Sequence, residues 1–130
     1  MRRISFNPQF VNEAGNNLIP GKIHTIRQNY SFWKKFEGQE VALFTWEGKP
    51  YQSKQKVFCV KRVIRVQSII YDGVFNADMG WLVPINNREI LEDIAKNDGF
   101  EDYRAFLEWF RKGNYKHGRM AILQFTEFKY

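Results

Sequence analysis

The longest extended pattern in the chain, Val57–Tyr71, sets the first limit on the fold. Val60, Arg62, Ile64, Val66, Ser68 and Ile70 fall on one side of such a strand, and Lys61, Val63, Arg65, Gln67 and Ile69 on the other. A strand packed on one core has one apolar side, and this run has none. It therefore predicts a bulge or a break of register within itself. Lys56, Lys61, Arg62 and Arg65 also exclude it as a membrane span, and no other window approaches about 18 uncharged apolar residues.

Shorter extended patterns surround it. Ile4, Phe6 and Phe10 alternate across Pro8, which suits a short edge strand because a proline donates no ladder hydrogen bond. Val11–Pro20 is polar and turn-rich, and Gly21–Arg27 is extended. Val41–Trp46 follows Gly38 and ends at the turn Glu47–Pro50, and Ile122–Phe128 closes the chain as a strand. Ser31–Phe36 has the spacing of one helical turn with Ser31 as its cap. Asn86-Asn87-Arg88-Glu89 opens a helix striped by Ile90, Leu91 and Ile94. Tyr103, Phe106, Leu107 and Phe110 mark a second one, capped by Glu101 or Asp102 and stopped by Gly113. About five strands and two flanking helices predict a single α+β domain over residues 1–130, a small β-barrel or curled sheet with helices packed on it.

Apolar residues at 44%, 17% of the chain being aromatic, supply one well-filled core, and 26% charged residues is too few for a disordered chain. Met1-Arg2-Arg3 resembles the start of a secretory leader, but Asn7, Pro8, Gln9 and Asn12 interrupt any apolar stretch behind it, so a cytoplasmic chain is expected. Cys59 has no partner for a disulfide. With His24 and His117 it makes too poor a ligand set for zinc, so no metal or cofactor is expected. The net charge of +6 suits a polyanionic partner. The bases gather around Lys54–Arg65 and Arg111–Arg119, whereas acids concentrate in Glu89–Glu108.

Gly21-Lys22-Ile23-His24-Thr25-Ile26-Arg27 places a lysine, a histidine, a threonine and an arginine within one turn-and-strand segment. In a uniform strand Lys22 and Thr25 face opposite ways, so they meet only if the chain bends near Gly21. Lys22 and Arg27 suit phosphate, Thr25 suits a base edge, and His24 or Trp33 suits ring stacking. The alternatives are structural: a strand histidine bonded to a carbonyl, and Trp33 in the core. Trp81, in the loop Asp72–Pro84, is placed either to close over a ligand or to pin its loop.

The segment resembles the signature of the ASCH domain family, a glycine–lysine pair followed by Thr-Ile-Arg. Asp98-Gly99-Phe100 and the helix after it are similar to the family's second motif, and the elements between fall in the same order. The resemblance implies a PUA-like barrel that binds RNA or a nucleoside or nucleotide in a cleft lined by Lys22, His24, Thr25, Arg27 and Trp33. Lys61, Arg65 and the Arg111–Arg119 segment would flank that cleft. For the family's amidohydrolases, which act on N4-acetylcytidine, it implies Lys22, Thr25 and Asp98 as the catalytic set. There Asp98 stands one methylene short of the usual glutamate; in a binding site it would join Thr25 at a base edge, and the structural alternative is a Lys22–Asp98 ion pair that ties strand to turn. A ribonuclease, or a non-catalytic interaction module, is the alternative.

Overall fold

The computed structural model describes residues 1–77 and 88–130. The long extended run divides at Val63–Ile64 into β4 (Gln55–Arg62) and β5 (Arg65–Tyr71), and the halves join different sheets. In the first sheet β3 (Glu40–Trp46) lies between β1 (Arg2–Ser5), which runs parallel to it, and the antiparallel β4. The second sheet has the order β2 (His24–Gln28), β7 (Gly118–Gln124), β5, β6 (Phe75–Ala77), and every pair in it is antiparallel. The Val63 amide still bonds Gln39 O of the first sheet at 2.8 Å, while the Ile64 amide bonds Gln124 O of the second at 2.8 Å. This corner explains the mixed faces of the run, because its inward side changes as it passes between sheets.

A second irregularity lies inside β4. Leu43 pairs with Cys59 and Phe44 with Val57, which leaves Phe58 as an extra residue. The bulge turns Phe58 into the core while Val57 and Val60 stay exposed. Cys59 is half-buried against that core, and burial pushes its thiol pKa up.

Other elements differ from expectation for local reasons. The strand expected across Pro8 stops at Ser5, and Pro8 instead opens a 3₁₀ turn (Pro8–Phe10) capped by Asn7, whose side chain accepts from the Gln9 amide. The short helix α1 (Tyr30–Lys34) is capped by Asn29, not Ser31. Asn29 holds φ +70° and accepts from the Phe32 amide. The closing strand ends at Gln124, short of Phe128. With α2 (Arg88–Asn97) and α3 (Tyr103–Lys112) the described residues hold three helices. Asp102 caps α3 by accepting from the Ala105 amide, and Gly113 stands at its other end, as the sequence predicts. Asn86, Asn87, Trp81 and the rest of residues 78–87 lie outside the described residues. Among the described residues no helix is long and apolar enough to cross a membrane.

β7 separates two cores. Ala121 and Leu123 pack with Ile4, Val41, Leu43 and Phe58, whereas Met120 and Ile122 pack with Ile26, Ile94, Phe106 and Phe110. Each phenylalanine buried this way contributes about 1.5–3 kcal/mol by leaving water. The strands thus follow one path, β2-β7-β5 to β4-β3-β1, turned at Val63–Ile64. Among the described residues no ladder joins its outer strands, β1 and β2. A side chain spans that seam: Arg27 Nη2 donates to Ser5 O at 2.7 Å.

Candidate functional site

Asp98 belongs to the end of α2. The Phe100 amide bonds Ala95 O and the Gly99 amide bonds Lys96 O, each at 3.0 Å, which is the Schellman pattern that closes a helix with a glycine at positive φ. Gly99 supplies that conformation at φ +94°. Two groups from the segment before β2 then satisfy the helix end. The Ile23 amide bonds Asn97 O at 2.8 Å, and Lys22 Nζ donates to Asp98 O at 2.6 Å. A cation here complements the negative end of the helix dipole. Gly21, at φ +88°, provides the bend that brings Lys22 round to this position.

Lys22 also donates to Asp98 Oδ1 at 3.0 Å, and His24 Nδ1 reaches the same oxygen at 3.2 Å. A carboxylate only accepts, so Nδ1 carries the proton and Nε2 is left as an acceptor. Nε2 takes its bond from the Tyr130 hydroxyl, whose oxygen accepts from Asn97 Nδ2 at 3.0 Å. Burial pushes the His24 pKa below its ordinary value against the pull of Asp98, which keeps the ring neutral. Burial likewise lowers the pKa of Lys22, offset in part by the charge and hydrogen bond of Asp98. The ammonium lies 4.6 Å from the centre of the Phe10 ring, a cation–π contact. Burial pushes the Tyr130 phenol up.

Lys22, Thr25, Arg27 and Asp98 line one open cleft of about 290 Å³ at the β1–β2 seam. Its other walls are largely aromatic, among them Phe10, Trp46, Tyr51 and Trp109. Arg27 Nε donates to Thr25 Oγ1 at 3.3 Å, and its guanidinium lies 4.9 Å from the centre of the Phe6 ring. Burial lowers the Arg27 pKa, yet a guanidinium keeps its charge at physiological pH. Asp98 Oδ2 has no partner among the described residues, so one acceptor of the carboxylate is unused. The cleft therefore offers a hydroxyl, a carboxylate oxygen and a guanidinium between ring faces, a set suited to a flat, polar-edged ligand.

The remaining expected residues lie elsewhere. His24 is 0% exposed and is absent from the cleft wall, so it cannot stack on a ligand. It acts through Asp98 instead. Trp33 is 8% exposed and packs against Phe32 and Phe36 in the core, because α1 turns its apolar face inward. Lys61 and Arg65 do not line the cleft, since the corner at Val63–Ile64 carries them away from the seam. Arg65 instead reaches Glu127 O at 3.3 Å. Of the Arg111–Arg119 segment only Tyr115 contributes a wall. Arg111 bonds Gly73 O at 2.9 Å, and Arg119 lies over the Tyr30 ring.

As cleft walls, sequence reasoning missed Trp46, the last residue of β3, and Tyr51, whose turn carries no periodic signal, and it missed Tyr130, which reaches His24 only through the tertiary fold. Among the described residues no group of three His, Cys, Asp or Glu side chains is placed to hold a metal ion. Comparison of the chain with protein-family models, curated proteins and solved structures gives no match.

Proposed function

We propose that this chain is an RNA- or nucleotide-binding domain of ASCH type, a PUA-like barrel left open along the β1–β2 seam, with a nucleobase received in the seam cleft. One observation carries the reading: Lys22, Thr25, Arg27 and Asp98, drawn from two distant segments, line a single cleft whose facing walls are Trp46 and Tyr51. Aromatic faces accept any base, and each stacked base contributes about 1–3 kcal/mol. Thr25 and the free oxygen of Asp98 then read the base edge.

A hydrolase in the same cleft is the second reading, favoured by a buried lysine of lowered pKa beside a threonine hydroxyl. Lys22 would take the Thr25 proton and Oγ1 would bond to the acyl carbon of N4-acetylcytidine. The C–N bond would break with that proton passing to the amine, and water would then release acetate from Thr25. Binding ranks first because the hydrogen bonds of Lys22 go to Asp98, and Thr25 Oγ1 meets Arg27 rather than Lys22.

Titration with single-stranded and structured RNA at two salt concentrations, beside a turnover assay with N4-acetylcytidine, separates the readings. Salt-dependent binding weakened by Arg27→Gln, without turnover, is the expected result. Turnover abolished by Thr25→Val, with negligible RNA affinity at low salt, would reverse the order. Neither activity would leave a non-catalytic interaction module.

A further inference from the structure

A second groove adjoins the cleft. Ser5, Arg27, Trp46 and Tyr51 belong to the walls of both, so the two cavities meet along a common wall. The second groove adds Arg2, Arg3 and Gln55, and among the described residues no carboxylate lines it. None of its three arginines makes an ion pair among the described residues, although the other sheet-borne arginine of that edge, Arg62, pairs with Glu40 at 3.1 Å.

Each of the three is held in place by an uncharged group. Arg3 Nη1 donates to Gln55 Oε1 at 3.0 Å. Arg2 lies 4.8 Å from the centre of the Phe32 ring and 5.7 Å from that of Trp33. Arg27 is fixed to Ser5 O across the seam and to Thr25 Oγ1 on its own strand. In the cleft itself, Asp98 is matched by Lys22. The joined cavities therefore carry an excess of positive charge, and it sits at the Arg27 end. Guanidinium groups oriented by neutral partners keep N–H donors and their full charge for an anion, and their planar forks match phosphate oxygens.

We propose that this groove is a phosphate subsite: Arg2, Arg3 and Arg27 take a phosphate attached to the nucleoside whose base enters the cleft. The ligand is then a nucleotide, free or within a strand, and not a free nucleoside. The inference rests on the reading of the cleft as a base site and adds to it the direction in which the ligand leaves, past Trp46 and Tyr51 toward β1. The sugar lies beside Arg27, the one cation common to both cavities.

The test is calorimetric titration of the intact chain. The probes are the four common ribonucleosides and N4-acetylcytidine, the 5′- and 3′-monophosphates of each, and inorganic phosphate alone. At least one monophosphate should bind on the order of 10–100-fold tighter than its nucleoside. Arg3→Gln and Arg2→Gln, each checked by thermal melting, should bring that ratio toward one. Adding 0.3 M salt (about a threefold rise over physiological strength) should compress the same ratio. Equal affinity for nucleoside and monophosphate would overturn the subsite while leaving the base site standing. Inorganic phosphate binding as tightly as the best nucleotide would overturn the joined site, since the base would then add nothing. Absence of binding by every nucleoside and nucleotide would overturn the base site and the subsite together. If one variant fails to fold, the other variant and the salt series still decide the question.

Discussion

Tyr130 and His24 share a hydrogen bond across almost the whole length of the sequence, and it occupies the imidazole nitrogen that Asp98 leaves free. With Nε2 accepting from the phenol and Nδ1 donating to Asp98, the neutral ring is fully bonded. A second proton, on Nε2, would place a charge on a fully buried ring with the Lys22 charge close by.

The His24 pKa, lowered from an ordinary 6.5, makes stability depend on acid. Above the unfolded value neither state carries the proton and nothing is lost. As pH falls below it the unfolded chain takes up a proton that the folded one refuses, so stability declines by up to about 1.4 kcal/mol per pH unit until the folded pKa is reached. Imidazole NMR should show His24 still neutral below pH 6.5. In Tyr130→Phe the freed Nε2 should protonate at higher pH. A His24 midpoint at or above 6.5 in the unmodified chain would contradict this account.

Lys22 and Asp98 should behave as a coupled pair. Asp98→Asn leaves a buried ammonium without its counter-charge and should cost roughly 3–5 kcal/mol in urea unfolding. Lys22→Met combined with Asp98→Asn should cost less than the sum of the single changes by about 1–3 kcal/mol, because the double variant buries neither charge alone. Strict additivity would mean that the two groups do not interact.

Gly99 and Gly21 hold similar positive φ values, +94° and +88°, in different surroundings. A Cβ on Gly99 would lie 3.2 Å from Lys22 Cδ and 3.2 Å from Phe10 Cδ1, whereas one on Gly21 meets nothing within 4 Å. Both alanine variants should lose about 1–3 kcal/mol to backbone strain. Gly99→Ala should lose more, and the excess measures the crowding by Lys22, Phe10 and Ile19. Equal unfolding midpoints would show that these side chains move aside freely.

Tyr51 separates ligand binding from stability. It is 89% exposed and holds φ +64°, a conformation that costs any residue but glycine, while its ring centre lies 5.1 Å from that of Trp46 over the cleft. Tyr51→Gly should leave the melting temperature unchanged or raised, and should weaken nucleotide affinity by roughly tenfold or more. Unaltered affinity would remove Tyr51 from the site.

The parts of this molecule governed by local chemistry were readable from the sequence. The Asp102 cap and the Phe106–Phe110 stripe give α3 directly, and the mixed faces of the 57–71 run foretell its break. Lys22 and Asp98 could be paired only through the motif resemblance, because nothing local says that a helix end will seek that ammonium. Arg2 and Arg3 looked only like the basic start of a secretory leader. Their groove exists only because β1 runs parallel to β3 and so brings them beside Gln55 and Tyr51. The displacement of Lys61 and Arg65 from the cleft follows from the sheet-to-sheet corner, whose direction no residue pattern encodes.

That corner also has a kinetic consequence. β3 can pair with β4 early, through a single hairpin turn. β1 must find β3, and β5 must find β7, across a longer intervening chain, and β2 must find β7 from nearly the other end of the sequence. Closing long loops costs entropy before any contact offsets it, so β2 should join last and with it complete the seam against β1. Mutations in β2 should then speed unfolding more than they slow folding. A ligand seated between β1 and β2 would act as a late clasp, lengthening the lifetime of the native state while leaving the rate of reaching it almost untouched.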